Sequence, residues 1–180
     1  EALTGEEANI EAGLLDEVFK DALERFEAAY RSITEEAREY LAKRDFSRDR
    51  GLQVIERLLY RHIYQCFHPK NRSYVLLLTE ESRIPPAWRE PVAQALERHL
   101  GGVLTELILA QAEGKDRQTA ALLSVSLLSA VRGFIAMPEF TAQTFRGATR
   151  LEPNYAVIED MLNNCLLRCV YANTSMNKEF

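Results

Sequence analysis

Residues 119–136 read TAALLSVSLLSAVRGFIA, an almost unbroken apolar run in which Arg132 is the single charge. A run of this kind has to be covered. Its length lies near the lower limit for spanning a bilayer, but Arg132, the serines at 124, 126 and 129, and the polar EGKDRQ at 113–118 favour a core or interface helix. The expectation is a helix buried on most sides. Small residues at Ser126, Ser129, Ala130 and Gly133 share one side of it at helical spacing, where a second backbone can come close. That side is the candidate dimer seam.

The rest of the chain agrees with an all-α fold. At 180 residues it suits one domain with a real core and no need of disulfides or metal. An apolar fraction of 47% fits a globular protein and a charged fraction of 27% a soluble one. Eight glycines and six prolines are too few for a loop-rich β protein. The formal charge of -5 gives no basic footprint for nucleic acid. Three cysteines, Cys66, Cys165 and Cys169, have no framework spacing, so a reducing cytoplasm is expected. No targeting or lipidation motif is visible, and no membrane partner is expected.

Working outward, Leu14, Leu15, Val18, Phe19, Ala22, Leu23, Phe26 and Tyr30 repeat every three or four residues, predicting a helix over 11–32 about 33 Å long. Thr34, followed by Glu35 and Glu36, reads as the N-cap of a second piece reaching Lys43. Ser47 reads as another N-cap, for a helix with a stripe of Leu52, Ile55, Leu58, Leu59, His62, Ile63, Cys66 and Phe67 that ends at His68-Pro69. Residues 73–81, SYVLLLTEE, suit a short helix, because a lone strand in a helical chain leaves its backbone groups unpaired. Pro86 opens a long helix that reaches Ala112, with Trp88, Val92, Leu96, Leu100, Val103, Leu107 and Ala110 inward. Gly101-Gly102 inside it weakens the helix by about 1 kcal/mol per glycine and marks a kink or a close contact. Gly114 closes that helix and Asp116 begins the next stretch. Residues 139–152 are polar and read as a loop with one helical turn. Pro153 starts a last helix with a stripe of Tyr155, Ile158, Met161, Leu162, Cys165, Leu166, Cys169 and Val170.

This order of helices resembles the ligand-binding and dimerisation domain of TetR-family transcriptional regulators. GLLDEVFKDALERFEAAY at 13–30, a helix ending at a proline, YVLLLTEES at 74–82, a long kinked helix and two final apolar helices carry the resemblance over roughly 13–172. Glu6 to Ala12 is similar to part of the turn and recognition helix, although the aromatic segment that joins it to GLLDEVF in the family is missing and no basic first helix is recognisable. The resemblance divides the chain into a remnant of an N-terminal helix-turn-helix DNA-binding domain at 1–12 and a ligand-binding and dimerisation domain at 13–180. It implies an all-α, orthogonal multi-helix bundle whose last two long helices pair with a second subunit as a four-helix bundle. It further implies a bacterial repressor that binds operator half-sites about 34 to 36 Å apart through its heads. A small apolar or aromatic effector among the middle helices would move the first helix as a lever, with a coupling of about 1 to 3 kcal/mol.

For the effector cavity the residues singled out are His62, Tyr64, Phe67, Tyr74, Glu81, Trp88 and Val103. For the dimer seam, Phe134, Ile158, Leu162, Cys165 and Cys169 join Ser126, Ser129, Ala130 and Gly133. His62 and Cys66, one turn apart, are two ligands at most, too few for a metal; a core histidine with a backbone partner outweighs a polar anchor in a pocket. Cys165 and Cys169 share a face and read as small apolar packing. Arg132 calls for a partner, with Glu80, Glu81, Glu106 and Asp160 as internal carboxylates and an anionic effector as the alternative. No phosphate loop, nucleophile–base pair or spaced carboxylate pair stands out, so neither an enzyme nor a cofactor is expected. The rival reading is a helical module that binds a partner helix in an apolar groove.

Overall fold

The computed structural model describes residues 5–43, 48–111, 116–149 and 155–175. Among them there is no strand, and the chain is all-α. Helix α1 spans Gly5–Lys43, α2 Arg48–Phe67, α3 Pro69–Thr79, α4 Pro86–Leu96, α5 Gly102–Gln111, α6 Arg117–Ala136, α7 Pro138–Thr149 and α8 Tyr155–Ser175. A 3-10 turn at Glu81–Arg83 precedes α4, and a π-turn at Glu97–Gly101 joins α4 to α5. Ser47, Gly114 and Pro153, read above as helix signals, lie outside the described residues.

Helix α2 is the centre of the molecule. It packs against α1, α3, α5, α6 and α8, and Leu52, Val54, Ile55, Leu58, Leu59, Ile63 and Cys66 are all buried along it. These positions cover more than one face, as a helix packed on several sides requires. Its polar strip, with Arg57, Tyr60, Arg61 and Tyr64, stays exposed.

Helix α1 is continuous, with no break at Gly13 or Thr34. At 1.5 Å per residue its 39 residues reach roughly 58 Å. Phe19, Ala22, Phe26, Tyr30, Ile33, Ala37 and Tyr40 form one unbroken buried stripe at three- and four-residue steps, so the helix has reason to run on through residue 34. Thr34 is not an N-cap: its hydroxyl donates to the Tyr30 carbonyl at 2.9 Å, the back-bond that a threonine makes inside a helix. Leu14, Leu15 and Val18, expected in the stripe, are exposed.

Several expected terminators are in place. His68 caps α3, its Nδ1 accepting from the Lys70 N–H at 3.4 Å, with Pro69 at the first helical position. Asp116 caps α6, its carboxylate accepting from the Thr119 N–H at 2.7 Å and from the Thr119 hydroxyl at 3.0 Å. Residues 138–149, expected to be mostly loop, instead form α7, with Glu139 in its first turn and Arg146 in its last, the arrangement that suits the helix dipole.

The largest correction concerns α6. It packs on α5, α2 and the π-turn through Ala120, Ser124, Leu127, Val131 and Ile135, but most of its apolar length is not buried within the chain. Leu122 and Val125 are 62% and 60% exposed. Among the described residues α6 is the helix long and apolar enough to cross a membrane by length and composition. On α8 the buried side holds Leu162, Asn163, Leu166, Leu167 and Val170 and lies mainly on α2. Cys165 and Cys169, read as packed, are exposed, and the side chain of Ile158 lies outside the described residues.

Candidate functional site

The Gly101-Gly102 pair creates the local irregularity on which the site is built. In the π-turn the Gly102 N–H bonds five residues back to the Glu97 carbonyl, one residue further than in a regular α-helix. The Gly101 carbonyl accepts from the Thr105 hydroxyl at 2.8 Å and from the Ser124 hydroxyl of α6 at 3.1 Å. The bulge is thereby hydrogen-bonded to α6.

Between the bulge, α6, α2 and α3 lies a cavity of about 580 Å³, within the range of small-molecule sites. Val75 and Leu78 of α3, Val92 and Leu96 of α4, Leu100 of the bulge, and Leu128 and Ile135 of α6 give it apolar walls. Thr79 and Ser129 add hydroxyls. Glu81, Arg89, Glu90, Glu97 and Arg132 supply charges, and all five are exposed residues.

His62 is the buried polar group of this cavity. A 2.8 Å hydrogen bond joins its Nδ1 to the Tyr30 hydroxyl of α1, a side chain rather than the expected backbone partner. Burial pushes the His62 pKa down from 6.5 to about 4, so the ring is neutral at pH 7. Burial likewise pushes the Tyr30 hydroxyl well above its ordinary range, with the neighbouring Cys66 adding to the rise. The Cys66 Sγ lies 3.8 Å from His62 Nε2, and burial pushes that thiol up to about 12. A protonated thiol is neither a good metal ligand nor a nucleophile. Among the described residues no three His, Cys, Asp or Glu side chains gather where they could hold a metal ion.

Of the residues singled out for the cavity, His62 and Glu81 line it and the others do not. Tyr64 faces a second groove, of about 640 Å³, with Tyr60, Arg57 and Arg61 of α2, Glu36 of α1 and Asn163 of α8. Phe67 is half-buried against the core and Val103 is inside it. Tyr74 is buried and donates to Gln65 Oε1. Trp88 instead joins α4 to α1: its Nε1–H donates to Asp16 Oδ1 at 2.7 Å, and its ring stacks on Phe19 with centroids 6.0 Å apart.

Arg132 belongs to the cavity wall. The internal pairing expected for it is absent among the described residues: Glu80 pairs with Arg83 at 3.1 Å and Glu106 with Arg117, and Arg132 meets no carboxylate within 4.0 Å. A lone charge in an apolar helix was the visible signal for this residue. Leu78, Val92, Leu96, Leu100, Leu128 and Ile135 carried no such signal, because an aliphatic side chain that lines a cavity has the same spacing as one that fills a core.

On the seam side of α6, Ser126, Ser129 and Ala130 are exposed and Gly133 is half-buried, with nothing within 4 Å of where a Gly133 Cβ would stand. Phe134 is partly buried and packs on the core. Leu162 is only 6% exposed, so the core of its own chain already uses it. Compared with known proteins, the chain matches no family model, no curated protein and no solved structure.

Proposed function

We propose that this chain is the effector-binding and dimerisation part of a one-component transcriptional regulator of the TetR kind, a repressor acting on operator DNA through an N-terminal helix-turn-helix head. The observation that carries the reading is the cavity of about 580 Å³ among the middle helices, apolar-walled, with one neutral histidine inside. That is the character of a small-molecule site. Two bonds support a lever. Tyr30 ties α1 to the cavity through His62, and Asp16 ties α1 to α4 through Trp88. An effector that moves α2 or α4 therefore acts on α1 directly, and a two-state shift of α1 is what changes the spacing of two heads.

The exposed Leu122 and Val125 of α6 favour a second reading, a helical module that takes a partner helix on that face. A thermal-shift screen separates the two. Small apolar and aromatic compounds are expected to stabilise the chain, by about 2.7 kcal/mol at a hundredfold excess over Kd. Ala93→Trp, at an exposed position on the cavity wall, is expected to abolish that gain. Stabilisation by amphipathic peptides alone would instead establish the module.

A further inference from the structure

We propose that the effector is an amphiphilic carboxylate, its anionic head held by the Arg132 guanidinium at the cavity mouth and its apolar body running inward toward His62; this rests on the effector-cavity reading above. Four observations carry it. Arg132 is the only charge in residues 119–136, it is exposed on the cavity wall, and no carboxylate of the described residues lies within ion-pair distance of it. A second guanidinium, Arg89, lines the same cavity, and among the described residues its hydrogen bond is made by Nε, which donates to the Ile84 carbonyl at 3.3 Å. The walls between mouth and interior are aliphatic, from Val92 and Leu96 on one side to Leu128 and Ile135 on the other. The inner end holds an imidazole bonded to Tyr30, a neutral group that asks for no counter-charge.

Three carboxylates also line the cavity, one more than its guanidiniums, and one of the three, Glu90, is hydrogen-bonded along its own helix. Glu90 Oε1 accepts from Gln94 Nε2 at 2.7 Å, one turn along α4. The Glu97 carboxylate folds back over the bulge, its oxygens 2.6 Å and 3.5 Å from where Cβ atoms on Gly102 and Gly101 would stand. Glu81 lies in the 3-10 turn and has no ion pair among the described residues. A guanidinium fork accepts a carboxylate through two parallel hydrogen bonds, which a neutral or cationic head cannot reproduce.

Isothermal titration of the whole chain with decanoate, 1-decanol and decylamine tests the inference. Decanoate is expected to bind at least about tenfold more tightly than decanol, and decylamine most weakly. Arg132→Gln is expected to weaken decanoate by about tenfold to a hundredfold and leave decanol unchanged, while Arg132→Lys keeps part of the preference. Unchanged decanol binding shows that the variant is folded and its cavity intact. Equal affinity for decanoate and decanol, undiminished decanoate binding by Arg132→Gln, or a preference for decylamine each overturns the carboxylate anchor and leaves the effector cavity standing. No binding of any of the three overturns both.

Discussion

At the scale of single residues, the Tyr30–His62 pair makes the interior sensitive to acid. Unfolded, the imidazole titrates near 6.5; folded, its pKa is about 4. Between these values the unfolded chain binds more protons than the folded one, so stability is full above about pH 6.5 and falls as pH is lowered toward 4. The linkage amounts to about 3 kcal/mol. His99, buried beside Thr34 with its pKa also lowered chiefly by desolvation, acts in the same direction. Urea unfolding at pH 7 and pH 5 measures the effect, and His62→Gln is expected to flatten the profile; a variant as pH-sensitive as the parent would assign the slope to other groups. Such roles were partly legible. A histidine on an apolar stripe announces a buried polar group, but its partner, 32 residues away on α1, is set by packing that no local pattern encodes.

The elements divide the same way. Gly101-Gly102 announced an irregularity, yet a kink and a π-turn look alike in sequence, and only the Gly102 N–H bonding to the Glu97 carbonyl tells them apart. A Cβ on Gly102 would stand 2.7 Å from that carbonyl oxygen, whereas one on Gly101 would meet nothing closer than 3.5 Å. Gly102→Ala is therefore expected to cost about 1 to 3 kcal/mol through overpacking, more than the helix propensity it gains. Gly101→Ala should be neutral or mildly stabilising, and thermal melts of both variants decide. Equal gains from the two would mean that the bulge relaxes freely into an α-helix. The misread junctions have local causes. Thr34-Glu35-Glu36 has the composition of an N-cap, but the stripe from Tyr30 through Ile33, Ala37 and Tyr40 keeps the helix whole. Residues 138–149 hold few large apolar residues, and Pro138 and Gly147 suggest a loop, so their sequence did not announce α7.

Across the whole molecule, apolar density proved a poor guide to the centre. The all-α class was legible throughout, from helical spacing and few glycines. The hub, however, is α2 and not the more apolar α6, because burial follows the number of neighbours packed around a helix rather than its own hydrophobicity. The exposed apolar and small residues of α6 then need cover, and a second copy of the chain is expected to supply it. Sedimentation at micromolar concentration should show a dimer, and Ala130→Arg a monomer with an unaltered melting profile at low concentration. A parent chain that sediments as a monomer would remove the seam from α6. One further property follows from the joint between α1 and α4. Trp88 is the sole tryptophan of the chain, its indole fixed by Asp16 and Phe19 across that joint. The protein therefore carries a built-in fluorophore at the place where the proposed lever meets the helix that walls the cavity, and its emission is an optical gauge of that joint with no label attached.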